Sequence, residues 1–182
     1  MTEQNGRLKV AAIADLRKTW QFVMLGPVVK VDPDDLPRRP NLHWLGPKSY
    51  AELPSYLAGW QIGLMPFALN EATRFISPTK TPEFLAAGLR VISTPITDVI
   101  RPYGDRDLVC IAATPEDIVS SAETMLGSDP TEWRHAANAF LAGMSWDLTW
   151  AGMHSLLDER LAFCSSSLRP SRVSFEQGAV SV

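Results

Sequence analysis

Ser77-Pro-Thr-Lys-Thr-Pro-Glu-Phe-Leu-Ala-Ala-Gly88 is the stretch on which the fold turns. An apolar run, Gln61 to Phe67, precedes it and a β-branched run, Arg90 to Thr94, follows it, so the unit reads strand, loop, helix, strand. That is one βαβ crossover. Ser77 or Thr79 is expected to cap the helix through a side-chain oxygen, Pro82 is tolerable in its first turn, and Gly88 suits the left-handed residue past its end. The N–H groups and positive dipole end of such a helix, with Lys80 beside them, form a place where a phosphate can be held. Glu83, three residues on, can accept hydrogen bonds from two sugar hydroxyls, which suits a ribose. The same spacing also fits a capped helix with an exposed Lys–Glu pair worth little, and the residues alone leave both readings open.

The rest of the chain supplies a frame for this unit. With 182 residues, 46% hydrophobic and 20% charged, it is long enough for one sizeable core and short for two. A net charge of −3 gives no support for a nucleic-acid or anionic-membrane surface. Two distant cysteines, Cys110 and Cys164, with only three histidines, suggest neither a disulfide framework nor a zinc site. A reducing, cytoplasmic compartment is expected, and no apolar run reaches membrane-spanning length.

Upstream of the central unit, Leu8 to Leu16 has helical spacing, Trp20 to Gly26 and Asn41 to Leu45 read as strands, and Val28 to Pro40 reads as an irregular loop. Its Asp32, Asp34 and Asp35 suit a solvated surface better than a metal site. Ser49-Tyr-Ala-Glu52 is a capping box leading into Leu53, Tyr56, Leu57 and Trp60. The loop from Ala68 to Ile76 holds Asn70, Glu71 and Arg74 at the carboxyl end of a strand, where α/β sheets bind ligands. For Arg74, a loop-anchoring ion pair is the competing role.

Downstream, Thr97 to Tyr103 suggests a short helix or turn, and Leu108 to Ala112 a last strand carrying Cys110 as a buried thiol. Helices follow from Thr114 to Gly127, from Thr131 to Ala142, and from a Ser145 cap through Trp146, Trp150 and His154. The expected organisation is a frayed start over residues 1–7, one domain over residues 8–163 and a disordered tail over residues 164–182.

The segment Ser77 to Gly88, followed by Arg90-Val-Ile-Ser-Thr-Pro95 and preceded by Asn41-Leu-His-Trp-Leu-Gly46, resembles the C-terminal, donor-binding half of GT-B glycosyltransferases of the group 1 or family 4 kind. The likeness runs from about Trp20 to Phe163. It implies an α/β fold, a Rossmann-like parallel sheet with flanking helices. It also implies retaining transfer of a sugar from a nucleotide-diphosphate sugar to an acceptor, with no further cofactor and no metal. Ser77, Thr79, Lys80 and Arg74 are then candidates for the diphosphate, Glu83 for the ribose, and Asn70 and Glu71 for the sugar. His43, Trp44 and Leu45, mainly through backbone, and Leu53 are candidates for the base.

The comparison also carries departures. Such enzymes open this half with a strand and a glycine-containing loop ahead of the first helix, so the chain is expected to be truncated and its sheet to lack a strand. Many relatives place a second acidic residue eight positions before the ribose-binding one, where this chain has Phe75. Catalytic residues are expected in an N-terminal acceptor half, joined or docked through the final helix, which would also carry any peripheral membrane association. Two other classes share the features: a GT-B nucleotide-sugar epimerase, for which His135 and His154 sit on late helices, and a non-catalytic nucleotide-sugar-binding or docking module.

Overall fold

The computed structural model describes residues 6–29 and 32–167. In chain order these form α1 (Gly6–Leu16), β1 (Phe22–Met24), β2 (Leu42–Trp44), α2 (Leu53–Leu57), β3 (Ile62–Met65), α3 (Lys80–Ala86), β4 (Arg90–Ser93), α4 (Thr97–Ile100), β5 (Val109–Ile111), α5 (Pro115–Leu126), α6 (Thr131–Ala142) and α7 (Trp146–Ser167). The chain divides into two compact units, Met1–Leu141 and Ala142–Val182.

Within the first unit, β1 pairs with β2 and β3-β4-β5 form a second sheet, every pairing being parallel. Ile62, Gly63, Leu64 and Met65 lie opposite Arg90, Val91, Ile92 and Ser93. The expected α/β fold with a Rossmann-like parallel sheet and flanking helices is therefore present, in two pieces. Among the described residues no strand pairs with the second edge of β1 or of β3.

The two-residue alternation of strand side chains sorts the core into two layers. Ile62, Leu64, Ile92 and Cys110 point to one face, where they meet Ile13 of α1 and Ile118, Val119 and Ala122 of α5. Met65, Val91 and Val109 point to the other, towards Leu85 of α3, Val99 of α4 and Ala137 of α6. β4 is buried on both faces because it is the middle strand, which is why Val91-Ile-Ser93 reads as continuous rather than alternating.

Two polar side chains tie the ends. The Asn41 carboxamide donates to the carbonyls of Ala14, Arg17 and Trp20 at 3.1, 3.0 and 3.1 Å, serving one acceptor in the last turn of α1 and two in the segment that leads on to β1. The Arg90 guanidinium donates to Met125 O, Ser128 Oγ and Asp129 O and stacks over Trp133, joining the start of β4 to the α5–α6 connection.

Two expected boundaries shift and one holds. α1 begins at Gly6, so Gly6 and Arg7 are helical, while Met1 to Asn5 lie outside the described residues. The Thr114 hydroxyl caps α5 as anticipated, accepting from the Asp117 N–H at 3.1 Å. α7 begins at the Ser145 cap and runs to Ser167, so Cys164 to Ser167 are helical where a disordered tail was expected; residues 168–182 lie outside the described residues.

Candidate functional site

α3 is a seven-residue helix whose C-terminal end is closed as its sequence suggests and whose N-terminal end is not. At the C-terminal end Gly88 takes φ +76°, its N–H reaches Leu85 O at 2.9 Å, and the Leu89 N–H reaches Phe84 O at 3.0 Å. That pair of bonds is the Schellman arrangement, and it requires the left-handed conformation that glycine adopts freely.

At the N-terminal end the expected Ser77 or Thr79 hydroxyl cap is not formed. Thr79 occupies the cap position in helical conformation, φ −64° and ψ −18°, and makes no capping bond. The reason lies one turn on: the Thr81 N–H is already taken by Pro78 O at 3.3 Å, and Pro82, the third helical residue, has no N–H to offer. The helix start therefore has fewer free donors than a phosphate cradle of the expected kind, and attraction for an anion falls mainly on the side chains of Lys80 and Arg74.

Lys80 Nζ pairs with Glu83 Oε2 at 3.0 Å, with the two side chains 57% and 36% exposed. An ion pair this open contributes about 0–1 kcal/mol, so a ligand that bonds each partner separately can part them at small cost. α3 is set tightly against the sheet. The Phe84 ring lies where a Cβ on Gly63 of β3 would be, 2.6 Å from Cδ2, and meets Trp60 edge-on with ring centroids 6.4 Å apart.

The loop leaving β3 is knit by a feature that sequence reading missed. Asn70 and Thr73 exchange bonds, each backbone N–H donating to the other's side-chain oxygen at 3.1 Å, and the Thr73 hydroxyl donates to Ala68 O. The Asn-x-x-Thr spacing is its sequence signal. Asn70, a candidate sugar contact, thus uses its side-chain oxygen within the loop. Arg74 Nη1 lies 3.5 Å from Glu71 Oε2, and its guanidinium stacks over Phe75 at 5.1 Å, so the loop-anchoring ion pair is formed. Leu69, Asn70, Glu71 and Arg74 line an open hollow of about 680 Å³. Below the loop lie Thr81, Ser93 and Thr94, all fully buried.

The structure thus gathers Asn70, Glu71 and Arg74 in one loop, and Lys80 and Glu83 at the helix that follows, all after the carboxyl end of β3. The base candidates belong to the other sheet. The His43 ring bonds Gln21 Oε1 at 2.7 Å, and the Trp44 indole donates to Pro37 O at 3.1 Å, so both side chains are engaged locally. Leu45 is exposed, with its N–H on Met24 O at 3.0 Å, and Leu53 is half-buried at the start of α2. Of the capping box, only the Glu52 half forms: its carboxylate accepts from the Ser49 N–H and hydroxyl at 2.8 and 2.6 Å, which holds its pKa below the ordinary carboxylate range.

Other titratable groups lie elsewhere. Cys110 is half-buried rather than buried and lines a cavity of about 400 Å³ with Arg90 and Val109, the first residues of their strands. His154 Nδ1 lies 3.0 Å from Asp158 on α7. No helix among the described residues is long and apolar enough to cross a membrane.

No family model matches the chain. Over 137 residues it is 32% identical to the Bacillus subtilis (strain 168) protein named "Putative teichuronic acid biosynthesis glycosyltransferase TuaH", a similarity covering 69% of this chain and 32% of that protein. The chain therefore spans about a third of its relative's length. At this coarse level the similarity supports a glycosyltransferase.

Proposed function

We propose that the chain is the donor-binding half of a retaining GT-B glycosyltransferase of the family 4 kind, which takes a sugar from a nucleotide-diphosphate sugar. The observation that carries this reading is the half-exposed Lys80–Glu83 pair, set after the carboxyl end of a parallel strand and beside the Asn70–Arg74 loop. Glu83 accepts from the ribose hydroxyls. Lys80 and Arg74 stabilise the negative charge that builds on the leaving diphosphate as the glycosidic C–O bond breaks. Ser77 and Thr79, freed from capping, donate hydroxyls to the same phosphates. Asn70 and Glu71 face the sugar, and backbone at the end of β2 with Leu53 receives the base.

The acceptor is held by an N-terminal half, and the new bond forms on the same face of the sugar as the old one. α7 carries the surface for that half, as its exposed Trp146, Trp150, Met153 and Leu157 suggest. The same exposure favours a second reading, a non-catalytic nucleotide-sugar-binding chain that docks on a partner.

Isothermal titration with UDP, GDP and their sugar conjugates tests the donor site. Saturable binding, weakened about tenfold or more in Lys80→Ala and Glu83→Ala, is the expected result; tenfold corresponds to about 1.4 kcal/mol. A folded chain that binds none of these ligands refutes the proposal.

A further inference from the structure

Thr94 follows β4 directly, at the carboxyl edge of the sheet, and is fully buried. Its N–H donates to Met65 O at 3.2 Å, and its hydroxyl donates to Phe67 O at 3.0 Å. Those two carbonyls bracket Pro66, so one residue of β4's exit grips both ends of the turn by which β3 passes into the loop. Met65 O also accepts from the Phe67 N–H at 3.0 Å, closing that turn on itself. Ser93 Oγ donates to Thr94 O at 2.9 Å, and Thr81 Oγ1 donates to Met65 Sδ at 3.7 Å, which brings the first turn of α3 to the same point.

Three buried hydroxyls thus converge beneath the two segments that carry Asn70, Glu71, Arg74, Lys80 and Glu83. Packing alone does not call for threonine here. Valine has the same branched shape, but it lacks the donor and would leave Phe67 O without its partner.

We propose that Thr94 is a positioning residue for the donor site: its hydroxyl sets the path of the loop after β3, and through it the affinity for the nucleotide-sugar. The proposal rests on the donor-site reading above. Thr94 touches no ligand itself and acts through Phe67 and the loop.

The test compares Thr94→Val with Thr94→Ser in two measurements made well below the melting midpoint. One is the rate of trypsin cleavage between Arg74 and Phe75, followed by mass; the other is titration with the nucleotide-sugar that binds the unaltered chain. In Thr94→Val cleavage is expected to accelerate and affinity to fall, each roughly fivefold, the scale of one lost hydrogen bond. Thr94→Ser, which keeps the donor, is expected to restore both. Cleavage at the unaltered rate in a folded Thr94→Val overturns the proposal, and so does faster cleavage with undiminished affinity or a serine variant that rescues neither. If the unaltered chain binds no nucleotide-sugar, the donor-site reading falls and the positioning role falls with it. A chain that binds but is indifferent to Thr94→Val refutes the positioning role alone.

Discussion

A single methyl group at residue 63 is expected to move the helix that carries Lys80 and Glu83. Gly63 is buried in β3, and a Cβ built there lies 2.6 Å from Cδ2, 2.9 Å from Cγ and 3.2 Å from Cε2 of Phe84. Carbon atoms rest at about 3.5–4.0 Å, so the ring has to retreat by about 1 Å. Its flank is occupied by Trp60, and α3 is only seven residues long, so the retreat carries the whole helix away from the sheet.

Overpacking of this kind costs about 1–3 kcal/mol. With about 2–4 °C per kcal/mol for a chain of this length, a cost in the middle of that range lowers the melting midpoint of Gly63→Ala by about 4–8 °C. Urea unfolding followed by tryptophan fluorescence measures the loss, and titration measures the accompanying drop in nucleotide-sugar affinity. The double variant Gly63→Ala, Phe84→Leu removes the clashing ring edge and is expected to recover at least about 1 kcal/mol relative to the sum of the single changes. A Gly63→Ala chain as stable as the unaltered one, or strictly additive costs in the double variant, would refute the reasoning.

Two further substitutions probe the frame. Asn41→Asp sets a carboxylate among the three carbonyls that the amide serves, at the negative end of α1. It is expected to cost about 2–4 kcal/mol at pH 8 and less at pH 5, where the protonated carboxyl regains one donor; urea unfolding at the two pH values decides it. Asp15 receives the Arg39 guanidinium at 2.5 and 2.9 Å, and these bonds hold its carboxyl below the ordinary carboxylate range. A depressed folded pKa contributes stability that is present above the ordinary range and is lost as pH falls through the folded value. Asp15→Asn is therefore expected to lose stability less steeply than the unaltered chain between about pH 5 and 3, as read by circular dichroism.

The elements that were legible in the sequence are those set by neighbours in the chain. Thr114-Pro-Glu-Asp gives its cap and first turn, Gly88 gives the end of α3, and the apolar runs on either side of Ser77 to Gly88 give β3 and β4. What escaped depends on partners distant in sequence or on atoms that are missing. The donors of Asn41 reach back 21 to 27 residues, and the grip of Thr94 on Phe67 spans 27, distances that no local pattern records. The uncapped start of α3 follows from Pro82, whose tolerance in a first turn is the same property that removes the donor a cap would serve. The candidate site was legible as a set of residues in one loop and one short helix. Of their existing bonds, the Lys80–Glu83 pair and an ion pair for Arg74 stood as open alternatives in the sequence, whereas the exchange between Asn70 and Thr73 was missed.

The Asn41 carboxamide has a consequence for motion. Because one side chain holds carbonyls in α1, in the segment after it and just before β1, while its own backbone leads into β2, none of these can loosen alone without stranding the others' acceptors. Their amide hydrogens are expected to exchange as one cooperative block, with rates distinct from those of β3, β4 and β5. The line between β1 and β3, which no ladder of described residues crosses, is then where the boundary between the two exchange blocks is expected to fall.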